Sequence, residues 1–164
     1  MTLADMIPRR RSVRAYRAEA IDAAILADLR AYMDNLVPLI PGARVAGRII
    51  PTSHGNFLQM WKTPHFIAIF SDGSDDGLIN VGFMYQQLDL FLQSRGLGSC
   101  WVGLGTPVDT IHKPSEGMKL AVMMAIGIPG IIVATTVHEF TRALLSTIFG
   151  DNYPKSQKRL TLNP

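Results

Sequence analysis

A segment near the middle of the chain, from about Leu78 to Arg95, constrains the fold more than any other. It predicts a helix whose apolar residues cover nearly the whole circumference; they are Ile79, Val81, Phe83, Met84, Tyr85, Leu88, Leu90, Phe91 and Leu92. A helix that is apolar all round must be buried on several sides. Arg95, Gly96 and Leu97 predict its end, because a glycine after a helix readily takes the left-handed conformation. Other elements of the chain, or a second copy of it, must therefore cover this helix. We expect a homodimer with Tyr85, Leu88 and Leu92 near its interface.

Short apolar and β-branched runs on either side of the central helix predict the strands of a sheet. They are Arg44–Ile50, His65–Ser71, Ser99–Leu104 and Leu120–Ile128. An amphipathic helix is predicted from Asp22 to before Pro38, and a short helix over Leu3–Arg9. Asp75 or Asp76 is placed to cap the central helix. Helices and strands alternate irregularly, so we expect an α+β domain with helices packed on a sheet.

The composition is that of one soluble globular domain. Of the 164 residues, 48% are apolar and 18% charged, which excludes a disordered chain. We assign residues 1–150 to the domain and residues 151–164 to a polar, basic tail. The single cysteine, Cys100, excludes an intramolecular disulfide. Thr2–Arg11 lacks the apolar run of a signal peptide, and Gly127, Pro129 and Gly130 interrupt the longest uncharged stretch, so we expect a cytoplasmic protein without a membrane span.

A basic segment near the N-terminus is the first place to look for an anionic ligand. Five arginines and no acid occur between Arg9 and Arg17, while the whole chain carries a net charge of only +3. If this segment is extended, Arg10, Ser12 and Arg14 share one face. Guanidinium and hydroxyl groups on one face are suited to a phosphate. The alternatives are a solvated basic patch, a membrane footprint and a nucleic-acid footprint. Against nucleic acid, Tyr16 is the only aromatic residue there.

The remaining polar residues predict neither a metal site nor a nucleophile. The four histidines are scattered without the spacing of metal ligands. Cys100 lies in an apolar strand with no His or Lys near in sequence, which favours a packed thiol. Gly103 and Gly105 do not continue into a nucleotide-binding loop, because Val108 stands where the third glycine would be. We therefore predict no catalytic side chain.

Four segments together resemble the nitroreductase superfamily of FMN-dependent oxidoreductases. In chain order they are Arg10–Tyr16, Asn80–Gly82, Gly96–Gly103 and Ala125–Pro129, within a resemblance that extends over Pro8–Arg142. The chain is most similar to the branch called putative nitroreductases, in which Ala-Pro-His-Tyr stands in the position of Thr63–Phe66. The resemblance implies an α+β fold, with a nitroreductase-like mixed sheet flanked by helices. It also implies a two-fold homodimer in which the central helix packs against its copy and FMN lies at each end of the interface.

The same resemblance assigns residues to the cofactor. Those implied to hold the phosphate and ribityl of FMN are Arg10, Arg11, Ser12 and Arg14, with Arg142 completing the phosphate site. Those implied to lie along the flavin ring are Ser99, Cys100, Trp101, Val102 and Gly103.

The activity that the resemblance implies is transfer of hydride from NAD(P)H, through FMN, to an electron-poor acceptor such as a nitroaromatic or a quinone. The flavin performs this chemistry, which agrees with the lack of a predicted catalytic side chain. Most members enclose the flavin with a Ser-x-x-Asn-x-Gln-Pro-Trp segment, of which Ser53 and Asn56 match only the first half. The alternative is a non-catalytic flavin- or nucleotide-binding protein with an incomplete nitroreductase site.

Overall fold

The computed structural model describes residues 2–52, 62–103 and 114–130, which belong to one structural unit, Met1–Gly130. A 3₁₀ helix, Ala4–Arg9, comes first. The helices are α1 (Ala23–Asp34) and α2 (Asp75–Ser94), and the strands are β1 (Val45–Pro51), β2 (His65–Ser71), β3 (Gly98–Val102) and β4 (Lys119–Gly127). These elements confirm the helices and strands that the sequence predicts for this part of the chain. No helix among the described residues is long and apolar enough to cross a membrane.

Within the described residues, four strands form an antiparallel sheet in the order β1-β2-β4-β3. β1 pairs with β2 from Val45 opposite Ser71 to Pro51 opposite His65. β4 pairs with β2 along its other side and with β3 at the far edge. All seven residues of β2 are buried, as expected for an inner strand covered on both faces. The α+β fold is confirmed, and a parallel pairing occurs at one isolated bridge, between Ser12 and Ser99.

Helix α2 packs on one face of the sheet and forms the centre of the main core. Tyr85, Leu88 and Leu92 are at most 2% exposed and pack with apolar residues of β2 and β4. Helix α1 covers α2 from another side, where the rings of Tyr32 and Phe91 stack with centroids 4.0 Å apart. The chain itself therefore buries much of the apolar circumference of α2. The expectation that Tyr85, Leu88 and Leu92 lie near a dimer interface is therefore wrong, because the chain itself buries them.

The start of α2 differs by a few residues from the prediction. Ser74 is the N-cap, and its hydroxyl accepts the Gly77 N–H at 3.0 Å. Asp75 and Asp76, which the sequence offered as caps, lie in the first turn instead. Carboxylates there still interact favourably with the positive end of the helix dipole. Serine at the N-cap satisfies an N–H that the helix leaves open, so the helix begins at Asp75 rather than near Leu78.

The end of α2 confirms the predicted stop and sets the position of β3. Gly96 has a φ of 73°, in the left-handed region. The Leu97 N–H donates to the Leu92 carbonyl at 3.0 Å, and the Gly96 N–H donates to the Gln93 carbonyl at 3.1 Å. These two bonds are those of a Schellman motif. The chain therefore turns from α2 directly into β3, the edge strand on which the candidate site is built.

Asn80, in the second of the four resembling segments, has a structural role. It is fully buried on α2, and its Oδ1 accepts the N–H groups of Leu39 and Ile40 at 3.0 and 2.9 Å. Its Nδ2 donates to the Ile40 carbonyl at 2.8 Å. These bonds satisfy a buried amide and fix the segment that follows α1 along α2.

Candidate functional site

The basic segment and the edge strand β3 are adjacent in the fold, although they are far apart in sequence. Ser12 forms a parallel bridge with Ser99, and the Val13 N–H donates to the Ser99 carbonyl at 2.8 Å. The Val13 side chain occupies the space that a Cβ at Gly98 would need. The structure thus brings together the two segments that the resemblance assigns to FMN.

The far end of the basic segment is fixed beyond β4. The Arg17 N–H donates to the Ile128 carbonyl at 3.0 Å, and the Gly130 N–H donates to the Ala15 carbonyl at 2.8 Å. The Tyr16 hydroxyl donates to the Ala125 carbonyl at 3.2 Å. Burial, and to a lesser degree the nearby Cys100 and Asp89, raise the pKa of Tyr16 well above its ordinary value, so its hydroxyl stays protonated. Backbone and side-chain bonds therefore hold the segment at both ends.

Arg10 is tied to a buried carboxylate on α2. Its Nε donates to Asp89 Oδ2 at 2.7 Å, and its Nη1 donates to Ser12 Oγ at 3.2 Å. The Asp89 side chain is fully buried, whereas the Arg10 side chain is 22% exposed. The Ser99 hydroxyl donates to the other oxygen, Asp89 Oδ1. We call this arrangement of Arg10, Asp89 and Ser99 the Asp89 bridge.

Asp89 is the residue of this site that the sequence analysis missed. It stands between Leu88 and Leu90 in a helix predicted from its apolar residues, and nothing in the local pattern shows which partners it meets. One signal was available. An acid on the buried face of an apolar helix must be paired, because burying an unpaired carboxylate costs far too much.

The other phosphate-binding candidates lie at the surface. Arg11, Ser12 and Arg14 are exposed, on a backbone that is fixed by its bonds to β3. The bond from Arg10 to Ser12 shows that these two residues share a face, as their alternating spacing predicts. The site therefore presents guanidinium and hydroxyl groups to solvent from an ordered segment.

Along β3 the side chains pass from buried to exposed. Ser99 and Cys100 are 3% and 4% exposed, Trp101 and Val102 are half-buried, and Gly103 is exposed. The Cys100 thiol lies in a core cluster with Phe66, Met123 and Ala125, which agrees with the packed thiol predicted above. A Cβ at Gly103 would meet no atom within 4 Å, so this end of the segment borders open space.

Arg142, the last residue predicted to hold the phosphate, lies outside the described residues, as do Ser53 and Asn56. Within residues 2–52, 62–103 and 114–130, no three His, Cys, Asp or Glu side chains converge as metal ligands would.

A comparison with protein families identifies the chain. The family model described as "Putative TM nitroreductase" matches residues 2–161. The chain belongs to this nitroreductase family. The match includes the basic segment, the whole of α2 and β3, and the position of Arg142. No curated protein sequence matches the chain.

Solved structures of nitroreductases share the fold at low sequence identity. A nitroreductase family protein from Clostridium novyi has a TM-score of 0.63 and 14% identity, over 79% of this chain and 86% of that one. An FMN-dependent nitroreductase from Clostridium difficile has a TM-score of 0.59 and 18% identity, over 77% of this chain and 87% of that one. A nitroreductase with bound FMN from Bacteroides fragilis has a TM-score of 0.60 and 15% identity, over 79% and 89%. At these identities the likeness shows the fold.

The contact between Val13 and Gly98 predicts opposite effects on stability for two glycine substitutions in this chain. A Cβ at Gly98 would lie 2.5 Å from Val13 Cγ2, so Gly98→Ala should displace the basic segment and destabilise by ~1–3 kcal/mol. Gly82→Ala is the matched control, because its Cβ would meet nothing within 4 Å on an exposed helix position. Replacing that helical glycine should stabilise by ~0.5–1 kcal/mol.

Thermal unfolding, monitored by circular dichroism, checks both predicted changes in stability. The melting temperature of Gly98→Ala should fall below that of the wild type, and that of Gly82→Ala should rise above it. Wild-type stability in Gly98→Ala would contradict the packing of the basic segment on β3.

Proposed function

We propose that this chain is an FMN-dependent oxidoreductase that transfers hydride from NAD(P)H, through the flavin, to a nitroaromatic or quinone-like acceptor. One observation carries the proposal. The Val13–Ser99 backbone bond places the basic segment against β3, in a chain of the nitroreductase family. The FMN-dependent and FMN-bound nitroreductases that share the fold support the choice of flavin.

The residues at this site fit the phosphate of FMN. Arg11, Ser12 and Arg14 are exposed on the fixed segment. Arg10 uses two of its five guanidinium N–H groups in its bonds to Asp89 and Ser12. Among the described residues, the other three N–H groups have no hydrogen bond, so they can bind a ligand. Guanidinium groups bind phosphate oxygens through charge-assisted, often bidentate bonds. We assign the phosphate to Arg10, Arg11, Ser12 and Arg14.

The residues of β3 fit a planar ring approached from the open end of the strand. Ser99 and Cys100 turn their side chains into the protein, so the ring would meet mainly the backbone of this segment. The exposed Gly103 and the half-buried Trp101 and Val102 stand nearer to the open space. We assign the ring to this face, along Ser99–Gly103.

When bound, FMN supplies the hydride chemistry, and the protein supplies binding and orientation. The Arg10 guanidinium and the Ser12 hydroxyl hold the phosphate end. The Tyr16 hydroxyl, protonated and bonded to the Ala125 carbonyl, holds the segment on the sheet. The scheme requires no acid or base from the protein, because hydride transfer needs only a stacked approach of ~3–3.5 Å.

Reduction by a nicotinamide nucleotide separates the enzyme from the non-catalytic alternative. The FMN-loaded protein, mixed anaerobically with NADH or NADPH, should lose its flavin absorption, and a quinone or nitroaromatic should restore it. We expect both flat substrates to approach from the Gly103 end of β3, where a Cβ would meet no atom within 4 Å. A flavin that stays oxidised with both nucleotides, yet is reduced by dithionite, would leave only the flavin-binding alternative.

Loss of the Arg10 guanidinium should weaken FMN much more than riboflavin, which lacks the phosphate. Charge-assisted bonds of ~1.5–3 kcal/mol predict that Arg10→Ala weakens FMN binding ~10–150-fold. Arg48→Ala, an exposed arginine on β1, is the matched control and should leave both affinities unchanged. Titration of flavin fluorescence measures all six dissociation constants, for FMN and riboflavin with the wild type and each variant. Equal wild-type affinities for FMN and riboflavin would place the phosphate elsewhere.

We also propose a homodimer that uses the exposed apolar side of α2. The exposed apolar residues on this side are Val37, Leu39, Ile79 and Phe83, between 41% and 63% exposed. Hydrogen bonds from Gln87 to the Val37 carbonyl and from Leu39 to Asn80 place them along one side of the helix. Apolar groups gathered on a surface mark an interaction site, and the resemblance implies that α2 packs against its copy.

Substitution on this surface should split the dimer. Multi-angle light scattering at micromolar concentration should give the mass of two chains for the wild type and of one chain for Phe83→Glu, because the new charge would be buried unpaired. Ala27→Glu, at an exposed position of α1 outside this surface, should remain dimeric. A monomeric wild type would reject the dimer.

A further inference from the structure

The Asp89 bridge places a carboxylate at a buried position, where an apolar side chain would avoid the free-energy cost of burying a charge. Its neighbours on the buried face of α2, Leu88 and Leu92, have no exposed surface, and neither does Asp89. Removing a charge from water is costly, and only good geometry on both carboxylate oxygens offsets that cost. Here Arg10 bonds to one oxygen and Ser99 to the other. The carboxylate is therefore held in one orientation, and it holds Arg10 in turn.

Arg10 reaches from this buried partner to the surface. The Arg10 side chain is 22% exposed, so the guanidinium lies at the boundary between the core and solvent. Its Nε donates to the buried Asp89, and its Nη1 donates to the exposed Ser12. Because the guanidinium is planar, fixing Nε restricts the directions in which the remaining N–H groups can point.

We propose that Asp89 is a positioning residue, held by Ser99, that orients the Arg10 guanidinium for the phosphate of a bound flavin nucleotide. This inference rests on the proposed function and extends it to two residues that would not touch the phosphate. Ser99 then acts through Asp89, and its side chain makes no contact with the cofactor. A pre-oriented arginine loses less conformational freedom when the phosphate binds, which increases affinity.

Electrostatics alone predicts the opposite sign for Asp89. A buried negative charge near a phosphate repels it, so neutralising Asp89 would tighten FMN binding if charge were its only effect. Positioning predicts weaker FMN binding in Asp89→Asn. Ser99→Ala loosens the carboxylate without changing any charge, so a loss of affinity in that variant cannot come from altered repulsion.

The experiment measures FMN and riboflavin affinities of the full chain by fluorescence titration. Asp89→Asn should weaken FMN by ~10-fold and Ser99→Ala by ~3-fold, while riboflavin changes by less than ~2-fold in both. The double variant Arg10→Ala/Asp89→Asn should bind FMN no more weakly than Arg10→Ala alone, because the two residues act as one unit. The matched controls are Asp72→Asn and Ser71→Ala, two hydrogen-bonded residues at the far end of the sheet.

A second readout is independent of any ligand. In protein labelled with ¹⁵N-arginine, the Nε–Hε signal of Arg10 is identified by its loss in Arg10→Lys. The Hε proton should exchange with solvent slowly in the wild type and quickly in Ser99→Ala. This variant removes one hydroxyl and keeps the buried ion pair, so it tests the proposal even if Asp89→Asn fails to fold.

Three results would overturn the positioning role: tighter FMN binding in Asp89→Asn, equal losses for FMN and riboflavin, or an Arg10 signal unchanged in Ser99→Ala. A wild type that binds no FMN would instead overturn the proposed function, and the phosphate role of Arg10 with it.

Discussion

The hydrogen bond from the Val13 N–H to the Ser99 carbonyl joins the two parts of the candidate site. A strand at the edge of a sheet has unpaired N–H and C=O groups that seek a partner. Here the N-terminal segment supplies that partner at the outer edge of β3, and the absence of a side chain at Gly98 allows Val13 to approach. The placement of Arg10 and Ser12 follows from this contact. A basic run that would otherwise be a solvated patch becomes an ordered surface.

Two buried polar residues make α2 more than a core helix. Asn80 fixes the segment after α1 with three hydrogen bonds, and Asp89 fixes Arg10. Removing one partner of a buried ion pair costs ~3–5 kcal/mol. That is a large share of the ~5–15 kcal/mol by which domains are stable. Through these bonds, Asn80 and Asp89 fix two segments of the chain against α2.

The elements that the sequence predicted correctly depend on residues close together in the chain. The strand β2 and the Schellman motif at Gly96 are of this kind, because β-branched runs and a glycine after a helix act locally. The cap at Ser74 was missed by one position because adjacent polar residues compete for that role. The pairing of Ser12 with Ser99, and the partners of Asp89, depend on long-range contacts that no periodicity reveals. For the same reason, the sequence predicts that α2 is buried, but it does not show which residues of α2 are covered by the rest of its own chain.

The central claim is that the basic segment and β3 together form a flavin site. Its most direct test is the visible spectrum of the purified protein after incubation with FMN and removal of free flavin by gel filtration. The account predicts about one retained flavin per chain, with an absorption band perturbed from that of free FMN. A colourless protein, with all the flavin recovered unbound and unperturbed, would contradict it.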